Sequence, residues 1–257
     1  MTDFILGAVA YDAKVVPIWE GFKQYFLARG LPFDFVLYST YERQVAAHLR
    51  GELDVAWNSP LAWIHAQRAA PDRAKAIAMR DTDRDLSSVV LVRADGPIKT
   101  VADLRRVGCG AADSPQATLI PMLALRDAGS TAKPVHHDVL LGKHGDHIGG
   151  ERDAVKALLA GTVDAACVID GNRLGFAREG LIPPSGPNAL RVLLQTGLYD
   201  HCNFTVLADT PASSKFVELL LAMSYDDPAV RPLLDMEGLT KWLPGRTSGY
   251  ALLERAV

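Results

Sequence analysis

The chain has 257 residues, of which 49% are hydrophobic and 22% are charged, and its formal net charge is −3. This length is enough to bury a sizeable core in one large or two modest domains. The nearly balanced charge argues against nucleic acid as the main partner, and no apolar run approaches the ~18–20 residues that span a membrane.

Strand-like and helix-like segments alternate in the first part of the chain, as in α/β folds with mainly parallel sheets. The predicted order is strand 4–10, helix 15–30, strand 33–39, helix 40–51 and strand 53–57. Within the first helix, Trp19, Phe22 and Phe26 recur at helical spacing. Thr40 has the chemistry of an N-cap for the second helix. The pattern therefore predicts helices that pack on a sheet.

A second alternating block begins near residue 93. It follows a predicted strand from 87 that leads into a Gly-Pro turn. The further predicted elements are helix 100–106, strand 107–112, strand 163–170, strands 191–196 and 202–209, and helix 213–224. We predict two α/β domains, with residues 1–93 and 201–257 forming the first and 94–200 inserted as the second. Two crossing segments near 93 and 200 would join them, an arrangement typical of a cleft that closes by hinge motion.

The N-terminal residues and the cysteines give information on the cellular compartment of the protein. Residues 1–12 show neither a basic n-region nor a long apolar h-region, so we expect a cytoplasmic protein, or a periplasmic one if an export leader was removed. Cys109, Cys167 and Cys202 are odd in number and far apart, which predicts no disulfide framework. A soft-metal site would need these thiols to converge with histidines, and we favour the interpretation that they pack as small hydrophobic groups.

Four segments, in order along the chain, carry a family resemblance. They are GELDVAWNSPLAWIHA at 51–66, DSPQATLIPMLALRDAG at 113–129, GGERDAVKALLAGTVDAACVID at 149–170 and LLDMEGLTKWLPGRTSGYALL at 233–253. They resemble segments of the phosphate, phosphite and phosphonate solute-binding proteins of ABC transporters, the PhnD-like group. The resemblance implies a type II periplasmic-binding-protein fold, a small-molecule ligand in an interdomain cleft and an ABC permease as partner. We expect no cofactor, no resident metal and no membrane insertion.

Two strand-to-helix junctions are the main candidate anion sites. Helix N-termini favour anions because their first N–H groups and the helix dipole point outward. Segments 58–60 and 113–116 each combine a capping residue with a proline in the first turn. We predict ligand-binding roles for Asn58, Ser59, Ser114 and Gln116.

Further candidates come from strand ends and from the family pattern. Tyr11 and Asp12 follow the first strand, at the end of an α/β sheet where ligands bind. Trp63 occupies the family's aromatic position and either lines the cleft or packs in the core. Asp170 ends a strand and is either a ligand-facing carboxylate or a helix cap.

The stretch HGDHIGGERD at 144–153 departs from the family pattern, which has Ser-His where this chain has Glu151 and Arg152. We predict that a helix begins near Glu151 with Glu151 and Arg152 facing the cleft and His147 just behind them, and we count all three as ligand-binding candidates. Arginine binds carboxylates and oxyanions through two parallel hydrogen bonds, whereas a carboxylate suits a cationic or hydroxyl group. Together with residues 115–118, which also depart from the pattern, this favours a small anionic or zwitterionic ligand, phosphonate-like or a carboxylate.

Two further questions stay open at this stage. His136, His137, His144 and His147 lie close together in sequence, but their spacing matches no standard zinc pattern. The chain also lacks the common catalytic motifs, which favours a binding protein. The alternatives are a cytoplasmic sensor and a lyase- or synthase-type enzyme on the same fold, since chorismate dehydratase resembles this architecture. For the enzyme, Glu151, Asp170 and His147 are the acid–base candidates.

Overall fold

The computed structural model describes residues 3–11, 13–138, 147–186 and 188–257, with the side chains of 147–149 excepted. The strands are β1 (Phe4–Val9), β2 (Phe33–Tyr38), β3 (Val55–Asn58), β4 (Lys75–Arg80), β5 (Ser88–Arg93), β6 (Arg106–Cys109), β7 (Lys133–His136), β8 (Ala165–Ile169), β9 (Leu190–Gln195), β10 (Asn203–Val206) and β11 (Trp242–Pro244). The helices are α1 (Val15–Leu27), α2 (Tyr41–Leu49), α3 (Pro60–Ala69), α4 (Ile120–Asp127), α5 (His147–Leu159), α6 (Asp170–Arg178), α7 (Pro211–Leu221), α8 (Arg231–Glu237) and α9 (Ala251–Ala256).

The chain divides into two compact units. The first contains Met1–Arg84 and Asp200–Tyr250, and the second contains Asp85–Tyr199 and Ala251–Val257. From the sequence, the first boundary was expected at 93. In the structure β5 pairs with β8 and β9, so this strand belongs to the second unit together with the terminal helix α9.

The first unit is built on a sheet with the order β11-β4-β10-β3-β1-β2. β1 runs parallel to β2 and β3, whereas β10 runs antiparallel to both β3 and β4, and β11 runs antiparallel to β4. Consequently β1, β2, β3 and β4 end at the edge where β10 and β11 begin. We call this edge the carboxyl edge of the first sheet.

Aromatic side chains fill the core of the first unit. α1 carries Trp19, Phe22 and Phe26 on its buried face, as its periodicity predicts. The Phe26 ring centroid lies 4.8 Å from that of Phe33 on β2 and 5.0 Å from that of Phe216 on α7. These contacts join α1, β2 and α7 in one hydrophobic cluster against the sheet.

The second unit has a sheet with the order β7-β6-β8-β5-β9. β6 is parallel to β7 and β8, and β5 is antiparallel to β8 and β9. β5 buries Val89 and Leu91 in one hydrophobic cluster and Val90 and Val92 in another. Apolar packing on both faces explains why its sequence is a continuous hydrophobic run. β6, β7 and β8 end where β5 begins, and we call this the carboxyl edge of the second sheet.

Two predicted helices differ from the structure. The helix predicted at 100–106 is only a 3₁₀ turn, Val101–Asp103, because the Asp103 carboxylate binds the N–H groups of Thr100 and Lys99 and closes a short loop. The helix predicted near Glu151 begins earlier, at His147. Within the described residues, no helix is both long and apolar enough to cross a membrane.

Candidate ligand-binding residues

The start of α3 lies at the carboxyl edge of the first sheet. Ser59 is its N-cap, with Oγ accepting a hydrogen bond from Ala62 N at 3.3 Å, and Pro60 occupies the first helical position. The predicted strand–cap–proline arrangement is therefore confirmed. It leaves a helix N-terminus, with its surplus N–H groups, at the end of β3.

Asn58 is turned into the first unit instead of toward solvent. Its side chain is fully buried, with Oδ1 accepting from Gln44 Nε2 at 2.8 Å and Nδ2 donating to Thr205 Oγ1 at 2.8 Å. These bonds tie β3 to α2 and to β10. The structure thus gives the Asn58 side chain a role in joining three elements behind the start of α3.

The other residues predicted in the first unit have different surroundings. Trp63 is 1% exposed, and its ring centroid lies 5.6 Å from that of Tyr250, so it packs in the core. Tyr11 follows β1 and is 43% exposed, with the Lys14 ammonium 5.7 Å from its ring centroid. Asp12 lies outside the described residues.

Tyr41 opens α2 at the same edge, and it was not predicted from the sequence as a site residue. Thr40 is confirmed as the N-cap of this helix, its Oγ1 accepting from Arg43 N at 3.3 Å. Burial, followed by the nearby Cys202 and Tyr11, raises the pKa of the Tyr41 phenol well above its ordinary value. A phenol that keeps its proton is a hydrogen-bond donor. The signal in the sequence was the same strand–cap–helix pattern that singled out Ser59.

A charged network also occupies this edge. Arg80, the last residue of β4, donates from Nε to Asp83 Oδ2 at 2.5 Å and from Nη1 to Glu237 Oε2 at 3.1 Å. Its guanidinium carbon lies 5.2 Å from the Trp57 ring centroid. Two carboxylates therefore engage this arginine, and its charge is compensated within the unit.

Asp83 also faces His201. The distance from Asp83 Oδ1 to His201 Nδ1 is 3.3 Å, and Cys202 Sγ lies 3.1 Å from the same nitrogen. Burial opposes a charged imidazole, but Cys202 and Asp83 outweigh it and raise the pKa of His201 to about 10. Burial likewise opposes the Asp83 carboxylate, yet Arg80 and His201 lower its pKa to about 2. His201, whose side chain is 20% exposed, is thus paired with the buried carboxylate of Asp83.

In the second unit, the main candidate is the helical segment after β6. A π-helical turn, Pro115–Leu119, continues directly into α4. Ser114 is fully buried and caps this turn, with Oγ accepting from Ala117 N at 3.2 Å. The predicted cap at the carboxyl edge of the second sheet is therefore confirmed.

Two side chains from other elements hold this segment in place. Ser88 Oγ donates to the carbonyl oxygen of Gln116 at 2.6 Å and shares a 2.6 Å hydrogen bond with the Tyr199 hydroxyl. Gln116 is 3% exposed. Because the Gln116 carbonyl is bonded to β5, the start of the segment is fixed relative to the sheet.

Glu151 and Arg152 point to different partners. Glu151 is fully buried, and its Oε2 accepts from Ile169 N at 3.0 Å and from Asn172 Nδ2 at 2.9 Å. Arg152 donates to Glu179 Oε2 at 2.5 Å and stacks 4.7 Å from the Phe176 ring centroid. Glu151 thus joins α5 to the β8–α6 junction, and the Arg152 charge is paired with that of Glu179.

The remaining predicted residues are an aspartate at the start of α6 and the histidines between 136 and 147. Asp170 opens α6 and accepts from Arg173 Nε at 2.6 Å. His136 Nδ1 lies 3.1 Å from the carbonyl oxygen of Gly110. His144 lies outside the described residues, and of His147 only the backbone position at the start of α5 is described.

A cavity of about 310 Å³ lies elsewhere in the first unit. Its lining includes Leu53 and Asp54, which precede β3, and Leu207, which follows β10. These residues lie at the end of the sheet opposite the carboxyl edge. The cavity is therefore separate from the helix starts described above.

Comparisons with known proteins place the chain in a family. The family model described as ABC transporter, phosphonate, periplasmic substrate-binding protein matches residues 10–250. No curated protein sequence matches the chain. Among solved structures, PhnD1 from Prochlorococcus marinus in complex with methylphosphonate is 17% identical, with 98% of this chain and 96% of that chain covered and a TM-score of 0.68.

Two further structures are similar in fold. XAC2383 from Xanthomonas citri bound to ATP is 16% identical, with 100% of this chain and 96% of that chain covered and a TM-score of 0.71. The periplasmic aliphatic sulphonate binding protein SsuA from Escherichia coli is 17% identical, with 98% and 84% covered and a TM-score of 0.54. These likenesses confirm the predicted α/β, type II periplasmic-binding-protein fold. The chain belongs to the family of phosphonate periplasmic substrate-binding proteins of ABC transporters.

Proposed function

We propose that this chain binds a small molecule with a phosphonate or sulfonate group and delivers it, in the periplasm, to an ABC importer. The observation that carries the proposal is the pair of capped helix starts, at Ser59 in the first unit and Ser114 in the second. Each follows a strand of its own sheet, at the edge where α/β folds bind ligands. Both present first-turn N–H groups, which favour anions.

The arginines near these helix starts are already paired with carboxylates. This favours an oxyanion that is bound mainly by neutral N–H and O–H groups. Arg80 is engaged by Asp83 and Glu237, and Arg152 is engaged by Glu179. Neither guanidinium carries an uncompensated charge. The amides of the first helical turns and the Tyr41 hydroxyl are therefore the groups that we assign to the ligand.

Structural neighbours support the same ligand class. The PhnD1 structure contains methylphosphonate, the XAC2383 structure contains ATP, and SsuA is an aliphatic sulphonate binding protein. Each of these ligands carries tetrahedral oxygens on phosphorus or sulfur. The departures at Pro115 and Gln116 from the family pattern bear on which member of the class is bound.

Binding can be tested by thermal unfolding with methylphosphonate, ethanesulfonate and acetate as ligands. A ligand that binds only the folded state raises the melting temperature, so we expect an increase with at least one of the first two and a smaller one with acetate. Tyr41→Phe removes one hydroxyl donor and should weaken binding by about tenfold or more, as expected for a hydrogen bond to a charged group.

Tyr225→Phe is the matched control. Its hydroxyl donates to Asp235 Oδ1 at 2.5 Å, in the segment between α7 and α8. Tyr225→Phe should therefore bind the ligand with the same affinity as the wild-type protein. Equal affinities of Tyr41→Phe and wild type would remove Tyr41 from the ligand contacts. A protein stabilised by acetate alone would contradict the assigned ligand class.

A further inference from the structure

Three metal-binding side chains converge in the first unit, outside the residues assigned to the oxyanion. Asp83, His201 and Cys202 each offer one ligand atom, and all three atoms lie within 4.8 Å of one another. The His201 Nδ1 atom is their common neighbour, 3.3 Å from Asp83 Oδ1 and 3.1 Å from Cys202 Sγ. A ring nitrogen carries at most one hydrogen, so it cannot donate a full hydrogen bond to both acceptors at once.

A tetrahedral metal ion that displaces the protons of the His201 imidazole and the Cys202 thiol satisfies all three atoms together. Zinc binds nitrogen and oxygen at ~2.0–2.2 Å and thiolate sulfur at ~2.3 Å, so neighbouring ligand atoms lie roughly 3.3–3.7 Å apart. The 3.3 Å separation of nitrogen and oxygen is already in that range, and the 3.1 Å separation of nitrogen and sulfur needs only a small opening. Two of the three separations are therefore close to those of a zinc site, and the third, between the Asp83 carboxylate and Cys202 Sγ, is at most 4.8 Å.

We infer that Asp83, His201 and Cys202 form a Zn²⁺ site with three protein ligands. The chemistry of the set suits zinc, which accepts imidazole, carboxylate and thiolate together. Charge balance agrees, because one thiolate and one carboxylate neutralise a divalent cation in a place where Asp83 is only 3% exposed and Cys202 only 7% exposed.

Surrounding contacts hold the ligands in position. The backbone N–H of His201 donates to the carbonyl oxygen of Asp83 at 2.8 Å, which ties the turn after β4 to the start of β10. Arg80 binds both oxygens of the Asp83 carboxylate, and the Arg80 charge is shared with Glu237. Each carboxylate oxygen has two lone pairs, so Asp83 Oδ1 can accept from Arg80 and still bind a metal.

The fourth position is open to a small ligand. The His201 side chain is 20% exposed, whereas the carboxylate of Asp83 and the thiol of Cys202 are buried. Sites with three protein ligands generally hold water or an exchangeable group in the fourth place. None of the three side chains is assigned to the oxyanion, so the zinc site and the proposed function can be tested separately.

Cobalt is the probe for the test, because a thiolate bound to Co²⁺ gives a near-ultraviolet charge-transfer band. The wild-type protein is stripped with a chelator, dialysed and titrated with Co²⁺, and Zn²⁺ affinity is then measured by competition with a chelating dye. We expect one Co²⁺ per chain, the thiolate band, and displacement by Zn²⁺. Circular dichroism melting of each variant shows whether it folds.

The variants separate this site from the other thiols. Cys202→Ala should abolish the band and weaken Zn²⁺ binding by ~100-fold or more, and His201→Gln should weaken it by at least ~10-fold. Cys109→Ala and Cys167→Ala alter buried free thiols of the second unit and should keep both the band and the affinity. No thiolate band in wild type, or a band that survives in folded Cys202→Ala, would overturn the site.

Discussion

Single side chains at the two carboxyl edges differ in what their polar atoms bind. Asn58 and Glu151 are fully buried and hold neighbouring elements together, whereas the Tyr11 side chain is 43% exposed. All three were predicted from the sequence as ligand-binding residues. A polar residue near the end of a strand can either contact a ligand or join neighbouring elements, and the sequence pattern is the same in the two cases. Only the neighbours brought in by the fold, such as Thr205 beside Asn58, distinguish them.

His48 is a buried residue whose protonation should affect stability. It is 2% exposed, and neither ring nitrogen has a hydrogen-bond partner among the described residues. Burial, with a smaller effect of Arg73, lowers its pKa to about 4. Because the folded-state pKa lies below the unfolded value of ~6.5, the unfolded chain binds the proton more tightly. Neutral His48 therefore makes its full contribution to the free energy of unfolding above about pH 6.5, and this contribution is lost as the pH falls toward 4.

We therefore predict that the free energy of unfolding falls on acidification by up to about 3 kcal/mol from this group. Urea unfolding at about pH 7 and about pH 4.5 measures the change. In His48→Leu the difference between the two values should shrink. His65→Asn, which alters an exposed histidine on α3, should keep the wild-type difference. Equal pH dependence in His48→Leu and wild type would exclude His48 as the source.

At the scale of secondary-structure elements, helix starts were the most predictable features. Helix starts with caps were predicted at 58–60, with Asn58 or Ser59 as the cap, and at 113–116, because a capping residue followed by proline is a local signal that needs no tertiary information. The π-helical turn after Ser114 was not predicted. Its geometry depends on Ser88, which binds the Gln116 carbonyl from a different strand. Local sequence cannot specify a turn that is shaped by such a distant partner.

Gly110 should be essential for the start of this helical segment. A Cβ at position 110 would lie 2.9 Å from the Cβ of Ala117, closer than two carbons can approach without movement. Gly110→Ala should therefore lower the free energy of unfolding by about 1–3 kcal/mol, the usual cost of overpacking. It should also weaken ligand binding, since the displaced turn carries Gln116.

A second substitution tests whether the clash itself is the cause. Ala117→Gly removes the opposing methyl, so the double variant should be more stable than the sum of the two single changes predicts. Ala117→Gly alone should cost about 1 kcal/mol, as glycine does in a helix. Chemical denaturation of all four proteins gives the coupling energy. Additive effects would show that the close approach of Gly110 and Ala117 does not determine stability.

At the scale of the whole molecule, the alternation of elements was enough to predict the α/β class, and the four family-like segments were enough to predict the family. Neither was enough to predict where the chain divides into units. The strand Ser88–Arg93 was assigned to the first domain, yet it pairs in the second sheet. Strand partners are set by packing between distant segments, which hydrophobic patterns do not encode. The same reason explains why the approach of His201 and Cys202 to Asp83 was not foreseen, since it follows from the position of β10 between β3 and β4.

Isothermal titration of the purified chain with methylphosphonate and ethanesulfonate tests the central claim most directly. The proposal predicts saturable binding of at least one of them with one ligand per chain, and recovery of that ligand chemically unchanged. Affinity should fall by about tenfold or more in Tyr41→Phe. No heat of binding from either compound, or conversion of the ligand during incubation, would contradict a substrate-binding protein for oxyanions.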